Sequence, residues 1–120
     1  MKILILEDNQ DRINKFKSAL KNQDLYIAED VQHAKEHCNF NEFSVIFLDH
    51  DLGNKMWVNS NEENTGYQFV KWLIKNDLQK NSLFYIHSMN PIGANKMFNL
   101  LKDNGWDGIW IPYHLLNLEE

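Results

Sequence analysis

Residues 47–53, Phe-Leu-Asp-His-Asp-Leu-Gly, carry an apolar run straight into two carboxylates around an imidazole. Charged groups at the end of a buried strand are costly unless they are paired or bind something. A second acidic pair, Glu7-Asp8, follows the apolar run KILIL, and His87-Ser88 closes the run LFYIH. Carboxylates brought together repel, and need a cation or a shared proton. Glu7, Asp8, Asp49 and Asp51 are hard oxygen ligands suited to Mg²⁺ or Mn²⁺, while His50 and His87 would also suit Zn²⁺. In an extended strand Asp49 and Asp51 share a direction and His50 looks the other way, unless the strand has already turned. The plainer alternative is that strand ends carry polar residues meeting water. That explains any one of these residues well and the whole set poorly.

The stretch IHSMNP, 86–91, adds a second kind of chemistry. Asn90 followed by Pro91 has the form of an N-cap and first helical residue. The first amides of such a helix, with Ser88 and Asn90, can hold phosphate oxygens. His87 can act as general acid near neutrality, and His50 as base or metal ligand; the alternative is a histidine making one structural hydrogen bond. Arg12, the sole arginine, would steer a phosphate or pair with Glu7 or Asp8. Met56, Trp57 and Val58 either close over a ligand's base or tuck their loop onto the body. Trp72, Trp106 and Trp110 are expected in the core, and His33, His37 and His114 in solvent.

Elements must bring these residues together. Residues 2–6, 25–28, 44–49, 83–87 and 107–111 read as short strands, apolar and rich in β-branched or aromatic residues. Apolar stripes place amphipathic helices over 11–21, from Asp30 onward, over 67–76, and from Pro91 to before Gly105. Strands alternating with helices imply a parallel, doubly wound α/β sheet of order 2-1-3-4-5, flavodoxin-like, in one domain over 1–120 with a last helix short or absent. In such sheets ligands bind at the carboxyl ends of the strands near the switch point, where Glu7, Asp8, Asp49–Asp51, His87 and Ser88 all fall. The polar, aperiodic stretch 53–66 has the length of a lid or binding loop.

Composition narrows the partners. A formal charge of −5 argues against binding an extended nucleic acid duplex, though not against a small anion held by a metal or by amides. No apolar segment approaches the roughly 20 residues that span a bilayer. The charged start is unlike a signal peptide. The lone Cys38 suits a reducing compartment, and a cytoplasmic location is expected.

The acid pair after strand 1, the aspartate ending strand 3 and a hydroxyl after strand 4 resemble a response-regulator receiver domain. The resemblance implies Glu7 and Asp8 as magnesium-binding acids, Asp49 as phosphoacceptor and Ser88 as switch hydroxyl. Ile111 stands where receivers carry a lysine, and the tail PYHLLNLEE is shorter than their fifth helix. The motifs LDHDLG and HSMNPIGANKM are similar to a narrower family, the cyclic-phosphate-processing receiver domains. That likeness maps distinguishing residues onto Asp49, His50, Asp51, His87, Ser88 and Asn90, and the arginine after the first acids onto Arg12. It implies a metal-dependent phosphoesterase acting on cyclic-phosphate nucleotides, oligonucleotides or nucleic acid ends. Asp49, His50 and His87 would be catalytic, Ser88, Asn90 and Arg12 would bind phosphate, and Glu7, Asp8, Asp49 and Asp51 would hold the metal. Two alternatives stand beside it: a receiver phosphorylated on Asp49, and a non-catalytic pseudo-receiver that binds a cyclic nucleotide or a protein partner. The short tail leaves room on the sheet for a homodimer or partner to dock.

Overall fold

A computed structural model of the chain describes residues 1–53 and 55–118; Asn54 of the expected lid loop and Glu119 and Glu120 of the tail lie outside the described residues. The chain alternates strand and helix: β1 (Lys2–Leu6), α1 (Gln10–Ala19), β2 (Asp24–Ala28), α2 (Val31–Phe40), β3 (Val45–Leu48), α3 (Gly66–Lys75), β4 (Leu83–Ile86), α4 (Pro91–Asp103) and β5 (Asp107–Trp110). All adjacent strands are parallel and their order is β2-β1-β3-β4-β5. This is the doubly wound sheet that the alternation of apolar runs predicts.

Side-chain alternation along the central strands divides the core in two. Leu4, Leu6, Ile46, Leu48, Phe84 and Ile86 face α2, α3 and α4, while Ile3, Ile5 and Phe47 face α1 through Phe16. Full burial of such a side chain stabilises by roughly 1.5–3 kcal/mol. The larger cluster thus fixes the sheet, and the smaller one carries α1. On the α1 side β5 is followed by a 3-10 turn, Tyr113–Leu115, and the partly buried Tyr113, Leu116 and Leu118 pack against the smaller cluster.

Each helix starts where its capping residue allows. The side chains of Asn9, Asp30, Thr65 and Asn90 accept backbone N–H groups of Arg12, His33, Gln68 and Gly93. Strands β3, β4 and β5 stop one residue earlier than the apolar runs suggest. The backbone nevertheless continues the ladder, with Asp49 N–H donating to Leu6 O at 3.0 Å and His87 N–H to Leu48 O at 2.9 Å. Trp106 is buried, whereas Trp72 and Trp110 are half-buried at the core edge; His33 and His114 are exposed as expected, but His37 is half-buried, edge-on to the Tyr26 ring. Cys38 is buried, and burial pushes its thiol up to about 12, which leaves it inert as a nucleophile.

Candidate functional site

The register of three strands sets the site. Leu6, Leu48 and Ile86 are hydrogen-bonded neighbours facing the larger core. One residue on, alternation turns Glu7, Asp49 and His87 toward the α1 side, where all three are buried. Suitable ligand atoms of these three residues lie within 4.8 Å of one another. The residue facing the acids from β4 is therefore His87 and not Ser88, which corrects the expected switch hydroxyl.

Glu7 is the most heavily bonded of the row. Its Oε2 accepts the amides of Asp8 at 3.0 Å and Asn9 at 3.1 Å. Its Oε1 accepts His87 Nε2 at 3.0 Å and lies 3.6 Å from Arg12 Nη1. Burial alone would raise the Glu7 carboxyl. The hydrogen bond and electrostatic pull of His87, the Asn9 amide and the Arg12 charge outweigh it and hold the group below its usual value. Asp49 goes the other way. Burial and the neighbouring Glu7 carboxylate push it well above the usual range, against the opposing effects of the His50 amide, which it accepts at 2.8 Å, and of Arg12. The two carboxyls titrate as a coupled pair, with Glu7 favoured in its ionised form and Asp49 pushed toward its neutral one.

This pair floors a cavity of about 320 Å³ lined also by Asp8, Asn9, Arg12, Asp51, Lys55, Met56, Trp57, Met89 and Asn90. Of the expected site residues, Glu7, Asp8, Arg12, Asp49, Asp51 and Asn90 share this cavity. His50, His87 and Ser88 do not line it. His87 lies behind Glu7, edge-on to Phe16 and Tyr113, and its buried Nδ1 has no hydrogen-bond partner among the described residues. Arg12 is positioned by its guanidinium stacking 4.6 Å over the Tyr113 ring, a contact of the tail that the sequence patterns do not signal.

The other half of the Asp-His-Asp triplet is spent on structure. The His50 ring points toward α4, where its Nδ1 pairs with Asp51 Oδ1 at 2.7 Å and its Nε2 with the Ser60 hydroxyl at 2.9 Å. The ring is fully buried, has both nitrogens engaged and does not line the cavity for which a base or metal ligand was expected. Asp51 accepts four bonds: His50, Asn90 Nδ2 at 3.1 Å, and the amides of Trp57 at 2.8 Å and Val58 at 3.2 Å. Burial works against its ionisation, but these bonds prevail and lower its pKa. Three of these bonds fall on Oδ1 and one on Oδ2, so Asp51 fastens Trp57 and Val58 while still lining the cavity. Residue 93 must be glycine-sized, because a Cβ there would come within 2.5 Å of the His50 ring.

The α4 terminus is similarly self-contained. Pro91 has no N–H, Gly93 N–H donates to Asn90 Oδ1 at 3.1 Å, and Asn90 N–H donates to the Ser88 hydroxyl at 3.0 Å. Of the expected phosphate cradle, the Asn90 and Gly93 amides are engaged by these caps, and the Asn90 side chain lines the cavity. The cationic groups in the cavity lining are Arg12, 3.6 Å from Glu7, and Lys55, 3.3 Å from Glu62, the latter not singled out by the sequence patterns because it lies in an aperiodic loop.

Residues 2–103 match the cyclic-phosphate processing receiver domain. The chain belongs to that family. A comparison with curated proteins gives no match. Among solved structures, this receiver-type domain resembles the chemotaxis protein CheY4 of Vibrio cholerae, at 20% identity and TM-score 0.69 over 98% of this chain and 89% of that one. It resembles a receiver domain from Methylobacillus flagellatus at 18% identity and TM-score 0.71, with the same coverage, 98% and 89%. A response regulator from Burkholderia pseudomallei, described with a phosphorylated aspartic acid, a calcium ion and citrate, matches at 17% identity and TM-score 0.65 over 98% of this chain and 62% of that one. These likenesses show the receiver fold. Among the described residues no helix is long and apolar enough to cross a membrane.

Proposed function

We propose that this receiver-type domain is a divalent-cation-dependent phosphoesterase that opens the ring of a cyclic phosphate carried by a nucleotide or a nucleic acid end. The observation that carries this reading is the buried Glu7–Asp49 acid pair at the floor of a cavity whose wall also bears Arg12 and Lys55. A pair of carboxyls that can ionise fully only beside a cation, next to groups that bind anions, suits a metal-bridged phosphate. The donor set is all oxygen, which fits Mg²⁺ or Mn²⁺, with Asp8 and Asp49 as ligands and Glu7 beside them. The nearby His87 ring makes Zn²⁺ the other candidate. When bound, such a cation polarises a phosphoryl oxygen or activates water.

The chain's own groups would do the rest. Arg12 and Lys55 hold the non-bridging oxygens. His87 holds Glu7 ionised from behind and does not reach the leaving oxygen. Ring opening joins a water oxygen to phosphorus and breaks one P–O ester bond. The water surrenders a proton to the carboxylate row, and the freed oxygen takes one from the Lys55 ammonium, which recovers it from solvent. Because burial and the Glu7 carboxylate raise the Asp49 carboxyl, activity should rise with pH as Asp49 ionises.

The likeness to response-regulator receivers supports a second reading more directly: Asp49, at the end of β3, accepts a phosphoryl group. Against it, Ile111 offers no ammonium to an acyl phosphate, and His87 replaces the hydroxyl expected beside Asp49. The two readings part in one experiment. The protein is incubated with 2′,3′-cyclic, 3′,5′-cyclic and cyclic oligonucleotide substrates in Mg²⁺, Mn²⁺ or Zn²⁺, and separately with acetyl phosphate and Mg²⁺. Ring-opened product, lost in Asp49→Asn, supports the phosphoesterase. A labile gain of mass without turnover supports the phosphoacceptor. Undiminished turnover by Asp49→Asn overturns the first reading.

A further inference from the structure

The apolar rim of the acidic cavity has no part in holding a cation or a phosphate. Trp57 is 65% exposed, Met56 78% and Met89 42%, and all three line the mouth of the cavity that Glu7 and Asp49 floor. We infer that this rim is a nucleobase platform, with the Trp57 ring stacking on the base of a ligand whose phosphate sits among the acids below. The inference rests on the phosphate reading of the cavity and names the remainder of the ligand: a nucleoside, and not a base-free phosphodiester.

The placement of Trp57 is constrained. Its φ of 55° lies in the left-handed region, which is costly for a bulky residue. The backbone is held there by Asp51, whose Oδ2 accepts the Trp57 amide at 2.8 Å. The neighbouring Val58, 8% exposed, is the residue that anchors the loop to the body. Trp57 is therefore not the plug of its own loop. A strained backbone fixed by a carboxylate presents a large ring to solvent beside a polar cavity. Methionines on either side supply polarisable surface that adapts to a flat heterocycle. A cavity of about 320 Å³ is at the small end for ligand sites, which suits one nucleoside phosphate. A formal charge of −5 leaves little attraction for a long phosphate backbone, so a free nucleotide or a single terminal nucleotide is the ligand.

The test measures kcat/KM for adenosine 2′,3′-cyclic phosphate, for glycerol 1,2-cyclic phosphate, and for a short oligoribonucleotide ending in a 2′,3′-cyclic phosphate. Wild type, Trp57→Ala and Trp57→Phe are compared, with tryptophan emission recorded in the same samples. Wild type is expected to prefer the adenosine compound over the glycerol one. Trp57→Ala should shrink that preference roughly tenfold, mainly through KM, and Trp57→Phe should restore most of it, as base–aromatic stacking requires. The oligoribonucleotide arm distinguishes a free nucleotide from an RNA terminus. Equal use of the adenosine and glycerol compounds, or a preference that survives Trp57→Ala, overturns the platform and leaves the phosphoesterase standing. Emission quenching by the adenosine compound that Trp57→Phe abolishes, without turnover, keeps the platform and removes the phosphoesterase. Neither quenching nor turnover removes both.

Discussion

Two polar clusters grow from the same triplet, on opposite sides of the sheet, and differ in how completely they are satisfied. On the α4 side His50, Asp51, Ser60, Ser88 and Asn90 bond one another until both His50 ring nitrogens and both Asp51 oxygens are used. On the α1 side Glu7 and Asp49 crowd each other, Asp49 is driven toward its protonated form, and His87 keeps an orphan Nδ1. Buried polar groups that close on themselves rigidify a fold. Those left in conflict store the capacity to bind. On the proposed function the α1-side row carries the chemistry and the α4-side network supports it, although both contain an acid and an imidazole.

The comparison breaks most sharply at Asp49. Asp49→Asn should cost more than about 100-fold in cation-dependent turnover, beyond the range for losing a mere supporting partner, while removing a buried like-charge conflict. Because the folded pKa of Asp49 is raised, the native state binds more protons than the unfolded one above the unfolded value of 3.8. Metal-free stability should therefore fall as pH rises from there, and that slope should flatten in Asp49→Asn. Thermal melts across pH, with and without Mg²⁺, check both statements; an unchanged slope would show that Asp49 is not pushed toward its neutral form.

On the scaffold side the expected loss is of stability. Asp51→Ala removes four accepted hydrogen bonds and should cost about 2–3 kcal/mol in urea denaturation. Since the Asp51 pKa is lowered, its contribution is present above 3.8 and is lost as pH falls through the depressed folded value. Gly93→Ala, which forces a methyl into the His50 ring, should cost about 1–3 kcal/mol by overpacking. Isothermal titration of Mn²⁺ should show affinity in Gly93→Ala within a few-fold of wild type; loss of binding there would merge the two clusters into one functional unit.

The smallest effect is expected from His87→Gln, which keeps a donor toward Glu7 but removes the ring. Glu7 should titrate higher, and the pH midpoint for Mn²⁺ binding should move toward alkaline values. An unmoved midpoint would reduce His87 to packing against Phe16.

The sheet and its order were legible because each strand is a short apolar run and each helix carries a cap and a stripe. The site was legible only in outline. Glu7, Asp8, Asp49 and Arg12 stand at strand ends or one turn beyond, where the fold class puts ligands. Whether Asp49 and Asp51 share a direction was left open by the sequence: β3 ends at Leu48, so alternation does not govern Asp51, yet both line the cavity. The row Glu7–Asp49–His87 depends on register between strands distant in sequence, and apolar runs alone do not give that register. The caps at the α4 terminus were half visible: Asn90 was read as an N-cap, but that its side chain and Ser88 would engage the Gly93 and Asn90 amides was not.

One further consequence concerns time. The Glu7–His87 bond joins residues 80 apart in the chain, so the row exists only after β1, β3 and β4 have docked in parallel. Contacts of such separation form late, because loop closure must be paid before they contribute. The repulsion between Glu7 and Asp49 thus opposes the last step of assembly and leaves the early collapse untouched. A cation that binds only the finished row should slow unfolding far more than it speeds folding.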